Sequence, residues 1–210
     1  MSYTEEFTRE SLAGAFDVSR ETLARLDAII AELDDWRLKV NLIGPREWPM
    51  IWHRHVADGL QLIPLLGSAR RVVDLGSGAG FPGLVIAAAL DEGGHVTMVE
   101  STGKKCAFLR AAIQAAELPA RVEQARIESV EVHNVEVVTA RALAPLPKLL
   151  ELSAKWLESG AFGVFPKGEN LDEELTAARQ RWTFSAKVIP SRTSPTGRIL
   201  TVSEVRKRDV

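Results

Sequence analysis

The stretch that most constrains this chain is Val72-Val73-Asp74-Leu75-Gly76-Ser77-Gly78-Ala79-Gly80-Phe81-Pro82-Gly83, an apolar run ending in a carboxylate and then a glycine-rich turn that opens an apolar segment. Turning from strand to helix in so few residues requires positive φ, and bare backbone lets a ligand approach closely. The pattern predicts a cofactor loop rather than a mere connection. Pro82 suits the first turn of the following helix, where its missing N–H is no loss.

The rest of the chain alternates around this unit. Residues 72–75 read as a buried strand and 81–90 as a helix; Gly93-Gly94 then breaks the chain before a second strand, 95–100, and a helix, 103–117, stopped by Pro119. Residues 121–124, 135–139 and 160–165 read as strands, with helices over 146–157 and 171–182. Residues 184–189 and 198–205 are two further strands with no helix between them, so they are antiparallel neighbours. Upstream, Ser19 followed by Glu21 marks a helix start, and Leu23, Leu26, Ile30 and Leu33 form one apolar stripe to about Trp36. A second helix over 49–62 packs with it, the two joined through Gly44-Pro45.

Repeated strand-helix units specify a mostly parallel sheet with helices on both faces. The expected fold class is therefore α/β: a seven-stranded, mostly parallel sheet with an antiparallel last strand over residues 67–210, and an N-terminal helical extension, residues 1–66, packed on it. Five parallel strands followed by such a hairpin resemble the Rossmann-like sheet of the class I methyltransferases that use S-adenosylmethionine.

Composition excludes several classes. At 210 residues, 46% hydrophobic and 26% charged, the chain fits neither a disordered nor a fibrous class. The longest apolar run, residues 84–90, is too short to span a bilayer, and Met1-Ser2-Tyr3-Thr4-Glu5-Glu6 is acidic where a secretion signal is basic. A cytoplasmic location with no membrane partner is expected, and the single Cys106 excludes an internal disulfide. Net charge is −2, with eleven acids against seven Lys and Arg in residues 1–60 and seventeen against nineteen in the remainder. A nucleic-acid partner would be gripped by a local patch, not by bulk charge.

Two cofactors compete for the loop. Gly78-x-Gly80-x-x-Gly83 satisfies the dinucleotide fingerprint, with Glu100 near the spacing of a ribose-binding acid. A pyrophosphate at this turn would lie near Asp74, and like charges ~4 Å apart cost roughly 4 kcal/mol at an effective dielectric of 20. S-adenosylmethionine has an ammonium, a sulfonium and no phosphate. In that reading Asp74, at the strand end, suits the cationic ligand, the turn of Gly76, Gly78 and Gly80 cradles the methionine part, and Glu100 accepts hydrogen bonds from the ribose hydroxyls.

The chain also resembles the RsmG (GidB) family, guanine-N7 methyltransferases of 16S ribosomal RNA. The likeness runs from about Asn41 and rests on an ordered set: Asn41-Leu42, Arg54-His55-x-x-Asp58-Gly59, the loop with its Phe81-Pro82-Gly83 ending, Gly103-Lys104-Lys105 before Phe108-Leu109, Arg126-Ile127-Glu128, Arg141-Ala142, Lys167-Gly168 and Gly197-Arg198. At Ile199 some members carry histidine. The resemblance implies S-adenosylmethionine as cofactor, no metal, and Gly76, Phe81, Ile127, Glu128 and Arg141 lining its site with Glu100 at the ribose. The implied reaction at guanine N7, which has a lone pair and no proton, needs no general base, so Arg141 and Lys167 are expected to position the substrate; Lys104, Lys105, Lys148, Arg192 and Arg198, many of them at strand ends or the loops that follow, are the candidate contacts to RNA. The partner would be 16S ribosomal RNA or the small ribosomal subunit, recognised as a folded particle by a monomeric enzyme.

Other residues have plainer readings. His53 and His55 point different ways on a helix, so they share no metal, and His55 with Asp58 is a structural hydrogen bond. His95 and His133 are isolated, Cys106 is a core residue, and the five tryptophans pack in the core or at its edge. The competing functions are a small-molecule methyltransferase with the N-terminal helices as an apolar lid, an NAD-dependent oxidoreductase, and a non-catalytic ribosome-binding module.

Overall fold

The computed structural model describes residues 6–208, so most of the acidic N-terminal stretch read above lies outside the described residues. Seven strands form one sheet: β1 (Arg71–Leu75), β2 (His95–Glu100), β3 (Ala120–Gln124), β4 (Val137–Thr139), β5 (Phe162–Lys167), β6 (Trp182–Pro190) and β7 (Arg198–Lys207). Their order is β3-β2-β1-β4-β5-β7-β6. The first five pair in parallel, and β7 enters antiparallel between β5 and β6. The last strand thus runs against the others, as its helix-free connection requires. No described helix is long and apolar enough to cross a membrane.

Alternation along the strands sends successive side chains to opposite faces. Val72, Val96, Met98 and Val137 pack on one side with α4 (Gly83–Ala89) and α5 (Gly103–Ala115). Val73, Leu75, Val99 and Val138 pack on the other with α6 (Leu146–Leu157). The helix α7 (Leu171–Arg179) packs on α6 and stops short of Trp182, which is buried as the first residue of β6. The helix expected to reach residue 182 ends there because the tryptophan side chain is more favourably placed in the second core cluster.

The N-terminal segment joins the first of these cores. A short helix, α1 (Leu12–Phe16), precedes α2 (Arg20–Arg37), whose N-cap Ser19 accepts from the Thr22 amide at 3.0 Å. Leu23, Leu26, Ile29 and Leu33 are its buried stripe, so Ile29 rather than Ile30 faces inward. This helix lies against α4 and α5, and none of its residues lines the cleft described below, so it forms no lid over it.

The expected continuous helix over 49–62 is three pieces: a 3₁₀ turn (Trp48–Met50), a π turn (Trp52–Ala57) and α3 (Asp58–Leu60). Pro49 suits only the first turn. The π turn widens the spiral and redirects His53, His55 and Asp58, a distortion common at functional sites. Directly after it α3 meets α4 without room to spare: a Cβ on Gly59 would sit 2.8 Å from Val85 Cβ.

Gly59→Ala is therefore expected to destabilise the chain by about 1–3 kcal/mol in urea unfolding, with partial recovery on adding Val85→Ala. Unchanged stability of the single variant would contradict this packing.

Candidate cofactor and substrate site

The loop after β1 turns on three left-handed glycines, Gly76 (φ 64°), Gly78 (φ 56°) and Gly80 (φ 87°). A Cβ on Gly83 would lie 2.7 Å from Asp74 Oδ2, so this glycine lets the start of α4 close over the strand end. Gly78 is different, because a Cβ there would meet only the Gly76 carbonyl at 3.7 Å. Its open side faces a cleft of about 1010 Å³ along the carboxyl ends of the strands.

The loop is clamped to the tip of β2. Gly78 N–H donates to Glu100 Oε2 at 3.0 Å, Thr102 N–H donates to Glu100 Oε1 at 2.7 Å, and Ser77 N–H donates to the Val99 carbonyl at 3.1 Å. Burial pushes the Glu100 pKa up, but the Thr102 and Gly78 amides and the charge of Lys105 outweigh it and hold the carboxyl below its ordinary value. The carboxylate is ionised, with about two lone-pair sites still free.

Asp74 does not reach the cleft. It is 1% exposed, its Oδ1 accepts from Thr139 Oγ1 at 2.9 Å, and its Oδ2 has no hydrogen-bond partner among the described residues. The strand-end acid thus supports the loop from beneath and does not face a cationic ligand directly. Burial pushes its pKa up to about 6, against partial opposition from the hydroxyls of Ser77 and Thr139.

Arg141 is the junction of the site. Following β4, its Nη1 donates to the Arg54 carbonyl at 2.9 Å and pairs with Asp58 Oδ2 at 3.3 Å, while Nη2 lies 2.5 Å from His55 Nδ1. The expected His55–Asp58 bond is absent; the π turn instead brings both side chains to Arg141. Burial, then the charges of Arg141 and Arg54, hold the His55 pKa down at about 3, so its ring is neutral and accepts from the guanidinium. That ring packs at 5.0 Å on Phe81, which Arg141 also covers, at 5.8 Å. Ala142, directly after, has φ 52°, a strained conformation for alanine.

The other expected site residues divide into groups. Lys167 borders the cleft, but its Nζ is 2.5 Å from Glu174 Oε2 and donates to the Ala144 carbonyl at 3.2 Å, while the same Glu174 oxygen accepts from Leu146 N–H. It shapes the wall that follows Arg141. Arg198, the register partner of Lys167 on β7, borders the cleft as well, and Ile199 beside it is buried in the sheet. Ile127 and Glu128 form a turn after β3, outside the main cleft, and Lys155 Nζ donates to the Ile127 carbonyl there at 2.8 Å. Lys104 is exposed and Lys105 half-buried in the first turn of α5. Lys148 pairs with Glu151 at 3.3 Å. Arg192 stacks 4.1 Å over Phe16 and donates to the Ala15 carbonyl, away from the cleft.

Sequence reasoning missed Gln61 and Thr193. Thr193 Oγ1 donates to Asp58 Oδ1 at 2.8 Å, and Gln61 Oε1 accepts from Arg192 N–H at 2.8 Å, which ties the loop before β7 to the N-terminal segment. His53 adds a ring nitrogen 2.9 Å from the Thr193 carbonyl. These pairs are more than a hundred residues apart in the chain and carry no local motif. Among the described residues no group of three His, Cys, Asp or Glu is placed to hold a metal.

Unfolded Asp74 releases its proton near 3.8 and the folded residue near 6, so this group's stabilisation is present below 3.8 and lost as pH rises through 6. Asp74→Asn removes that dependence. Relative to the parent, the variant should gain about 1–2 kcal/mol between about pH 5 and about pH 8 in urea unfolding. A difference that does not change with pH would contradict the burial of an ionisable group here.

Comparison with known proteins agrees with this geometry. A methyltransferase from Hyphomonas neptunium named ribosomal RNA small subunit methyltransferase G is 59% identical over 98% of this chain and 99% of its own length. A protein of the same name from Rhodospirillum rubrum is 44% identical over 95% of this chain and 99% of its own. Among solved structures, an O-methyltransferase from Bacillus cereus in complex with SAH has a TM-score of 0.60 at 15% identity, covering 93% of this chain and 96% of that one. A SAM-dependent methyltransferase from Aquifex aeolicus has a TM-score of 0.58 at 14% identity, covering 81% and 97%. These structural likenesses show a shared Rossmann-like methyltransferase fold. The family described as rRNA small subunit methyltransferase G (GidB) matches residues 22–197, and this chain belongs to it.

Proposed function

We propose that the chain transfers the methyl group of S-adenosylmethionine to N7 of a guanine in a loop of 16S ribosomal RNA, acting on the small ribosomal subunit as a cytoplasmic monomer. The observation that carries the cofactor reading is the bond from Gly78 N–H to the ionised Glu100. A dinucleotide needs that amide for its pyrophosphate, and here a carboxylate already occupies it. Pro82 at the N-cap of α4 removes a further donor. A cofactor with a ribose diol and no phosphate fits, since Glu100 keeps acceptor sites for the hydroxyls and Gly78 leaves its open side for the methionine part.

The cofactor supplies an electrophilic sulfonium methyl. The chain's own residues supply position. Gly76, Gly78 and Gly80 shape the cradle, Phe81 gives it an apolar face, and the turn at Ile127 and Glu128 borders Glu100 through the Ala125 amide, where an adenine can be read. Guanine N7 has a lone pair and no proton, so attack needs no general base. The neutral His55, with its Nδ1 lone pair turned to Arg141, is consistent with that. Fixing the two reactants in line can account for ~7–11 kcal/mol of the barrier.

Arg141 and Arg198, both lining the cleft, serve as contacts for base and phosphate, with Lys104 and Lys105 in the first turn of α5 as further phosphate contacts. Lys167 acts through the wall it holds. Lys148 and Arg192, already engaged by Glu151 and Ala15, have the weaker claim to RNA.

Incubation with labelled S-adenosylmethionine and small subunits lacking the modification, followed by mapping of the label, tests the proposal. Label at N7 of one guanine in a 16S loop is expected; label absent from RNA would overturn it.

A further inference from the structure

The cations in the wall of the cleft are largely tied down. Arg54 lies 4.0 Å from Glu47, Arg141 pairs with Asp58, and Lys167 pairs with Glu174. With those three paired and a net charge of −2, the cleft's remaining cations, Arg198 with Lys104 and Lys105 nearby, gain from a second source of attraction for a polyanion.

The opposite end of the sheet offers it. Arg179 and Arg181, at and just beyond the end of α7, meet Arg206, Lys207 and Arg208 at the end of β7. Arg208 N–H donates to the Arg181 carbonyl at 2.9 Å, Arg208 Nη1 donates to the Arg179 carbonyl at 2.9 Å, and Lys207 pairs in register with Trp182. All five cations are exposed, and none forms an ion pair with a described carboxylate. Arg206 and Arg208 direct their guanidinium hydrogen bonds to backbone carbonyls, so no described carboxylate cancels their charge. Among the described residues, the one carboxylate bonded into the patch, Glu158, accepts only from the Lys207 backbone amide.

We propose that this basic patch at the far end of β7 is a second docking surface for ribosomal RNA, gripping backbone phosphates away from the cleft. The proposal rests on the functional reading above. The strand β7 begins at Arg198, opposite Lys167 on the cleft rim, and ends in the patch, so the two grips are roughly 30 Å apart. A folded RNA can bridge that distance, whereas a small substrate cannot. Phosphate contacts need charge and donors alone. A protein partner would want a buried apolar anchor, and the exposed large hydrophobics among the described residues, Leu38 and Val188, are not in the patch. Arg206, Lys207 and Arg208 also lie past residue 197, where the family match stops.

The test uses the full chain and a triple variant, Arg179→Gln, Arg181→Gln and Lys207→Gln, whose side chains make no hydrogen bond among the described residues. Filter binding to protein-free 16S ribosomal RNA across a salt series, and KM for unmodified small subunits, are the readouts. Expected are a salt slope shallower by about 2 and a KM raised about tenfold, with kcat and S-adenosylmethionine affinity unchanged. A companion variant that keeps the charge, Arg179→Lys with Arg181→Lys, should behave as the parent, which separates loss of charge from loss of fold. Unchanged slope and KM in the triple variant would overturn the proposal. A raised KM on subunits with unchanged binding to the naked RNA would also overturn it, and would assign the patch to a ribosomal protein. If the parent methylates neither substrate, the functional reading fails, and the binding slope still decides the patch.

Discussion

The carboxylate of Glu100 holding the Gly78 amide is the interaction on which the site depends. It joins the tip of β2 to the turn after β1, and so fixes a turn of three left-handed glycines in which Gly78 presents its open side to the cleft. The same bond fills the position that a pyrophosphate would need. One hydrogen bond between neighbouring strand ends thereby sets both the shape of the cradle and the class of molecule that fits it. Asp74 completes the arrangement from below, buried against Thr139 and the close-packed Gly83.

Arg141 couples this cradle to the N-terminal segment. Its guanidinium satisfies the Arg54 carbonyl, Asp58 and His55 together, and the π turn is the backbone solution that brings all three to one point. Asp58 then reaches Thr193 in the loop before β7, so the floor, one wall and the far loop of the cleft are held through a single chain of polar contacts. Buried networks of this kind are costly when half satisfied and rigidifying when complete. The extension is in this sense part of the site, although α2 itself packs behind the sheet.

The strand-helix alternation, the antiparallel final strand and the glycine loop were legible in the sequence because each is written in local periodicity or in residues with special backbone freedom. The limits are equally local in cause. The π turn could not be read because its residues have ordinary helix spacing, and the distortion answers to Arg141, more than eighty residues away. The side-chain direction of Asp74 is hidden for the same reason, since facing the cleft or facing Thr139 depends on the neighbouring strand. Arg141 was found through its motif, and Gln61 and Thr193 were missed because they have none. The partners of Lys167 and Arg192, Glu174 and the Ala15 carbonyl, lie on other elements and emerge only when these are packed, whereas the Lys148–Glu151 pair is local to α6.

The central claim is that the glycine loop is a cradle for a phosphate-free cofactor. Titration calorimetry of the full chain with S-adenosylmethionine and, separately, with NAD tests it most directly, with Gly78→Asp as the site control. The account predicts one saturable site for S-adenosylmethionine, none for NAD, and loss of binding in Gly78→Asp, where a carboxylate would enter the open side of the turn beside Glu100. Binding of NAD with none of S-adenosylmethionine, or undiminished affinity in the variant, would contradict it.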